Sequence, residues 1–156
     1  MRLSFVFTFA LVCLSTGVAI AKGGDLVCRA RVFAVSKEIA ASLLDDPKLG
    51  GDASAALAKL QQMATSGQAE VVANPTTRTP VPGRATVKGL VGLDMEVAAS
   101  ETGRLKIHAL IEQGDGQQKT YFNTNTEIER GKTTFLGTLE PKGEAAQTWL
   151  VFLHAQ

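Results

Sequence analysis

Histidine and cysteine are scarce in this chain, which holds two of each in 156 residues. His108 and His154 lie far from each other and from either cysteine in sequence. A zinc or copper site shows denser, closely spaced ligands, so no metal is expected. His108 reads as a surface strand residue and His154 as a residue near the chain end. The chain also lacks a P-loop, a dinucleotide fingerprint, an H-E-x-x-H helix and a G-x-S-x-G elbow. Gly89-Leu90-Val91-Gly92 is too short to cradle a phosphate. No catalytic residue and no cofactor are therefore expected, and the chain reads as a non-enzyme. Tryptophan and tyrosine occur once each, which leaves little to build a sugar-stacking platform. A charge excess is missing too. Arg2 is the one basic residue among positions 1–21; without it, 15 basic residues balance 15 acidic ones. A polyanion such as nucleic acid finds no general attraction here.

What is present at the N-terminus is an address. Arg2 supplies a positive n-region, Leu3 to Leu14 is uncharged and apolar, and Ala19-Ile20-Ala21 is a small-x-small cleavage site. That is the pattern of a secretory signal peptide, cut before Lys22. A membrane anchor is the alternative, but a spanning helix needs about 20 predominantly apolar residues and this run is short. Val12 before Cys13 does not suit a lipobox. Residues 1–21 are thus expected to be a signal peptide and 22–156 a single exported domain. No second apolar run approaches spanning length, so no transmembrane helix is expected in the mature chain. Cys28 then remains alone and cannot form an internal disulfide. It reads either as a reactive thiol or as a small buried hydrophobe on a strand.

The mature chain begins with LVCRARVFAV, residues 26–35. Cys28, Ala30, Val32 and Ala34 share one face; Arg29 and Arg31 share the other. That alternation predicts a strand with one protected face. Ser36 reads as the N-cap of a short helix, KEIAASLL. The breakers of DDPKLGGD make a loop, with Asp45-Asp46 before a proline as ordinary turn chemistry. A second helix is predicted from about Ala53 to Thr65, with Ala53, Ala56, Leu57, Leu60 and Ala64 on one face and Gly67 near its end.

Beyond Gly67 the spacing turns to period two. EVVA and RATVK read as strands, and NPTTRTPVPG between them cannot be a central strand, because its three prolines lack ladder donors. LDMEVAA and LKIHALI form a predicted hairpin around Gly103. Leu93, Met95, Val97 and Ala99 face inward on one arm, and Leu105, Ile107, Ala109 and Ile111 on the other. With Ala99 opposite Leu105, Glu96 faces His108 and Ala98 faces Lys106. Asp94 and Glu96 could be a glycosidase pair, but opposite charges across a solvated sheet face are the ordinary arrangement. Gly114-Asp115-Gly116 marks a turn. TYFNTNTEI, TTFLGTL and TWLVFLH complete the β half, the last apolar on both faces and hence internal. Asn123-Thr124-Asn125-Thr126 reads as the outward face of an edge strand or as a site for a carbohydrate or ion. Gly137, inside TTFLGTL, predicts a bulge or bend, and Pro141 with Gly143 a turn back. The fold class expected is α+β: an N-terminal strand and two helices packed on an antiparallel β-sheet.

The order of these pieces resembles the core of bacterial secretins, the outer-membrane pores of type II and type III secretion. Asn74-Pro75, Thr79, Gly83 and Ala85 occupy places comparable to the family's P-x-x-x-T-x-x-G-x-x-A segment. VGLDMEVAASETGRLKIHALIE is similar to the two strands that follow it. IERGKTTFLGTLEP is similar to the family's turn ending in GGL, written Gly137-Thr138-Leu139 here, and TWLVFLHAQ to its closing strand. The resemblance covers most of residues 26–156. It implies an exported, non-enzymatic envelope protein associated with protein secretion or envelope assembly, in the periplasm or at the outer membrane. Its partner would be an envelope protein or a further copy of itself. With no lip region after the last strand and no ring domains before the core, the expected product is a small secretin-like core rather than a full pore. Two other classes stay open: a soluble periplasmic binding module or inhibitor unrelated to secretion, and a small hydrolase, which would need a catalytic triad that the sequence does not display.

Overall fold

The computed structural model describes residues 24–89, 91–114, 120–141 and 146–156. Residues 1–21, expected to be a signal peptide and including Cys13, lie outside these residues, as do Leu90, Asp115, Gly116 and Gly143. Among the described residues the order is β1 (Leu26–Ser36), α1 (Lys37–Leu44), a 3-10 turn (Pro47–Gly50), α2 (Ser54–Thr65), β2 (Glu70–Ala73), β3 (Thr76–Thr79), β4 (Gly83–Val87), β5 (Val91–Ala99), β6 (Leu105–Gln113), β7 (Thr120–Ile128), β8 (Thr133–Leu139) and β9 (Gln147–Ala155). The class is α+β, as the residue patterns imply. The strands sort into two antiparallel sheets. One runs β2-β1-β9-β8, with β3 also pairing β1; the other is the meander β4-β5-β6-β7.

β1 and β9 explain the architecture. Leu26, Cys28, Ala30, Val32 and Ala34 of β1, with Trp149, Val151, Leu153 and Ala155 of β9, pack against Leu93, Met95, Val97, Ile107 and Ile111 of the meander. The opposite face of the same two strands offers Phe33, Val35, Leu150 and Phe152 to Leu43, Ala56 and Leu60 of the helices. Phe152 meets Phe33 edge-on at 6.5 Å between ring centroids and Phe135 at 5.2 Å. The first sheet is therefore the middle of three layers, and two cores lie on its two sides. This corrects the expectation of one protected face for β1. Arg29 and Arg31 do share a face with Phe33 and Val35. The helices cover that face at its C-terminal half, so Arg29 remains exposed and Phe33 is buried. β9, apolar on both faces, is internal as expected, paired with β1 along nine registered positions and with β8 on its other side.

The helices are placed by short polar clasps. Ser36 Oγ accepts from Ile39 N at 3.3 Å and starts α1. Asp46 accepts from Lys48 N at 2.9 Å and starts the 3-10 turn, which is the turn chemistry expected of Asp45-Asp46. Asp52 Oδ1 accepts from Ser54 N at 3.0 Å and from Thr133 N at 3.3 Å. It thereby ties the start of α2 to β8, and Ala53 N donates to Thr133 O at 2.8 Å beside it. The Ser54 hydrogen bonds hold the Asp52 carboxyl below its ordinary value. The proline-rich segment is peripheral, as predicted. β3 pairs only the first four residues of β1, and β2 takes over that edge at Val32.

Gly137 sits at a bulge. β8 pairs Phe135 with Phe152 and Gly137 with Val151, so Leu136 is passed over. The extra residue shifts the side-chain alternation by one. Leu136 and Leu139, three apart, can then both pack into the core between the sheets. Gly137 has φ +143, and a Cβ there would lie 3.0 and 3.2 Å from ring carbons of Phe122 in β7. Conformation and close approach both require glycine.

Candidate functional site

The outer face of the meander is a polar surface, because its inner face is committed to the core. Alternation puts Arg84, Asp94, Glu96, Lys106, His108, Asn123 and Asn125 outward. The hairpin register is the predicted one: Val97 opposite Ile107, Met95 opposite Ala109, Glu96 opposite His108 and Ala98 opposite Lys106. Its inward residues are buried, apart from Ala99 at the hairpin end, which stays exposed. Arg84, Glu96, His108 and Asn125 line up across the four strands. A shallow groove of about 830 Å³ runs over this row, with Ala98 and Lys106 along one side.

Arg84 organises the groove, and it was not singled out from sequence. Its Nε donates to Asp94 Oδ1 at 2.9 Å, while Nη2 pairs with Asp94 Oδ2. Nη1 lies 3.6 Å from Glu96. Thr86 Oγ1 donates to Asp94 Oδ1 at 3.2 Å. The signal was available: RATVK alternates like the strand after it, and pairing the two puts Arg84 opposite Glu96. The hydrogen bonds from Arg84 hold the Asp94 carboxyl below its ordinary value of 3.8. A general acid for glycoside hydrolysis needs the opposite shift. Asp94 is thus an ion-pair member, held as the carboxylate by Arg84 rather than poised as an acid. His108 Nε2 donates to Asn123 Oδ1 at 2.8 Å, so the histidine is tied to the edge strand.

The remaining candidates separate in space. His154 lies in β9, with Nδ1 3.4 Å from Thr133 Oγ1. Cys28 is buried in the core between the sheets, and burial pushes its thiol up to about 11. That is the small buried hydrophobe, since a reactive thiol needs a lowered value. Gly92 lies within β5. Asn123 and Asn125 are exposed on β7, the edge of the meander. Among the described residues no group of three or more His, Cys, Asp or Glu is placed to hold a metal ion. No described helix is long and apolar enough to cross a membrane. Comparison with protein-family models, with curated proteins and with solved structures found no match.

Proposed function

We propose that this chain is a non-enzymatic protein of the cell envelope, exported through residues 1–21, that works by contact with a protein partner in secretion or envelope assembly. One observation carries the non-enzymatic part of the reading. Arg84, the cation at one end of the groove, is engaged by Asp94 and Glu96 instead of being aimed at a point where a reacting atom would sit. A broad, shallow, mixed-charge face suits a protein surface better than a small reactant. The secretin resemblance supplies the link to secretion; its segments fall on β3, β4 and the Gly137 bulge. A module outside the bilayer is favoured over a barrel-forming segment. Leu93, Met95, Ile107 and Ile111 point to β1 and β9, whereas a lipid-facing strand turns its apolar residues outward.

The test is made in cells. The exported protein should begin at Lys22 on N-terminal sequencing. A photo-crosslinking residue in place of Lys106 or Glu96, in the groove, should capture one envelope protein, and the same residue in place of Lys59 on α2 should not. An uncleaved chain kept in the cytoplasm, or no capture from the groove, overturns the proposal. Capture of a periplasmic protein outside any secretion apparatus keeps the binding module and removes the link to secretion.

A further inference from the structure

We propose that the free edge of β7 is a self-association surface, where a second copy of this chain pairs strand to strand, antiparallel, about a twofold axis through Thr124. An unpaired strand edge is a template for further pairing unless something blunts it, and the edges of the two sheets differ in this respect. β2 and β3 are four residues each, separated by Asn74-Pro75. β8 is broken by the Gly137 bulge. β4 has five residues between Pro82 and Lys88; a strand of the other sheet lies near both ends of the meander, β3 by β4 and β8 by β7, so length and register are what separate the two edges. β7 is different. It runs nine residues in unbroken register with β6, from Thr120 to Ile128. It contains no proline, lysine or arginine, and Glu127 is its one charged residue. Among the described residues no strand pairs its other side.

The residues along β7 favour a second copy over a strand of unrelated sequence. An axis through Thr124, the middle of the strand, lets all nine residues pair. Thr124 then meets its own copy, Asn123 meets Asn125, Phe122 meets Thr126 and Tyr121 meets Glu127. No like charges are opposed, and Thr–Thr contacts directly across the strands are favourable. Tyr121, 55% exposed and one of the exposed large hydrophobic residues of the molecule, would gain a neighbour across the join. The pairing is isologous and closes at two copies. A ring would also need the β4 edge. Two grooves would then lie on one continuous eight-stranded face, since Asn125 and Glu127 belong to both groove and edge. This inference does not depend on export or on the partner proposed above.

Purified mature protein should show a concentration-dependent monomer–dimer equilibrium in sedimentation velocity, with no larger species. Asn123→Lys with Asn125→Lys would set like charges opposite each other on both sides of the axis, as would Asn123→Glu with Asn125→Glu. Each double variant should be monomeric at concentrations where the parent is dimeric, with an unchanged far-ultraviolet spectrum. Mixing the two should restore a dimer containing one copy of each, a result that neither misfolding nor a different interface would produce. A parent that stays monomeric throughout, variants that dimerise like the parent, or a mixture that stays monomeric would each overturn the proposal.

Discussion

At the residue scale, Gly137 and Asp94 show how much one position can depend on its surroundings. The bulge and the positive φ disfavour any side chain at Gly137, and the Phe122 ring stands where its first carbon would go. Gly137→Ala should cost roughly 1–3 kcal/mol through backbone strain and overpacking, and Gly137→Val more. Repeating the alanine change in a Phe122→Leu background separates the two causes. Chemical denaturation should then show a smaller cost, by the part due to the ring. An equal cost in both backgrounds would remove the steric contribution. Asp94 is stabilised as an anion by Arg84, so its folded value lies below its unfolded one. Its contribution is complete above the ordinary 3.8 and is lost as pH falls through the depressed folded value. Because the pair is on the surface, Asp94→Asn should cost less than about 1 kcal/mol near neutrality, and less again in high salt. The variant and parent should converge as the pH of the denaturation series drops well below 3.8. A gap that widens on acidification would contradict this assignment.

At the element scale, α2 depends on its apolar stripe more than on its ends. Ala53 at its N-terminus makes no side-chain cap, and the helix has no acid in its first turn. Leu60, by contrast, is fully buried, with Ala56 beside it on the same stripe; Leu57 and Ala64 are half-buried at its margin. Leu60→Ala should lower stability by about 2–5 kcal/mol, from lost transfer energy and the cavity left behind. A denaturation midpoint unchanged within error would mean that α2 is not anchored on the sheet. The hairpin β5–β6 was legible to the residue because its code is local. A one-residue slip would turn Met95 and Ile107 outward, so the apolar alternation alone selects the register. β8 was less legible, since a bulge breaks the alternation and Leu136 and Leu139 read as opposite faces. The same local code reaches Arg84, whose partners lie ten and twelve residues away on the adjacent strand.

At the scale of the whole molecule, the middle sheet joins two cores, and Cys28 lies in the one between the sheets. The thiol is fully buried and raised to about 11 by burial, so it is neutral and shielded. A thiol reagent should therefore label Cys28 in folded protein of residues 22–156 only through opening. Labelling near neutral pH should be slow in buffer and stoichiometric in denaturant, and Leu60→Ala should speed it if the two cores open together. Immediate labelling of the native protein would place Cys28 at the surface. An unchanged rate in the Leu60→Ala variant would show that the helix layer opens independently of the sandwich.

Strand and helix positions, the hairpin register, the peripheral place of the proline segment and an irregularity at Gly137 were legible in residue spacing, because each depends on neighbours a few positions away. The division into two sheets, the half-covered face of β1 and the Phe122–Gly137 contact were decided only by the tertiary structure. Each of these depends on which apolar faces meet across long separations. Alternation tells a strand which side is buried, but not what buries it.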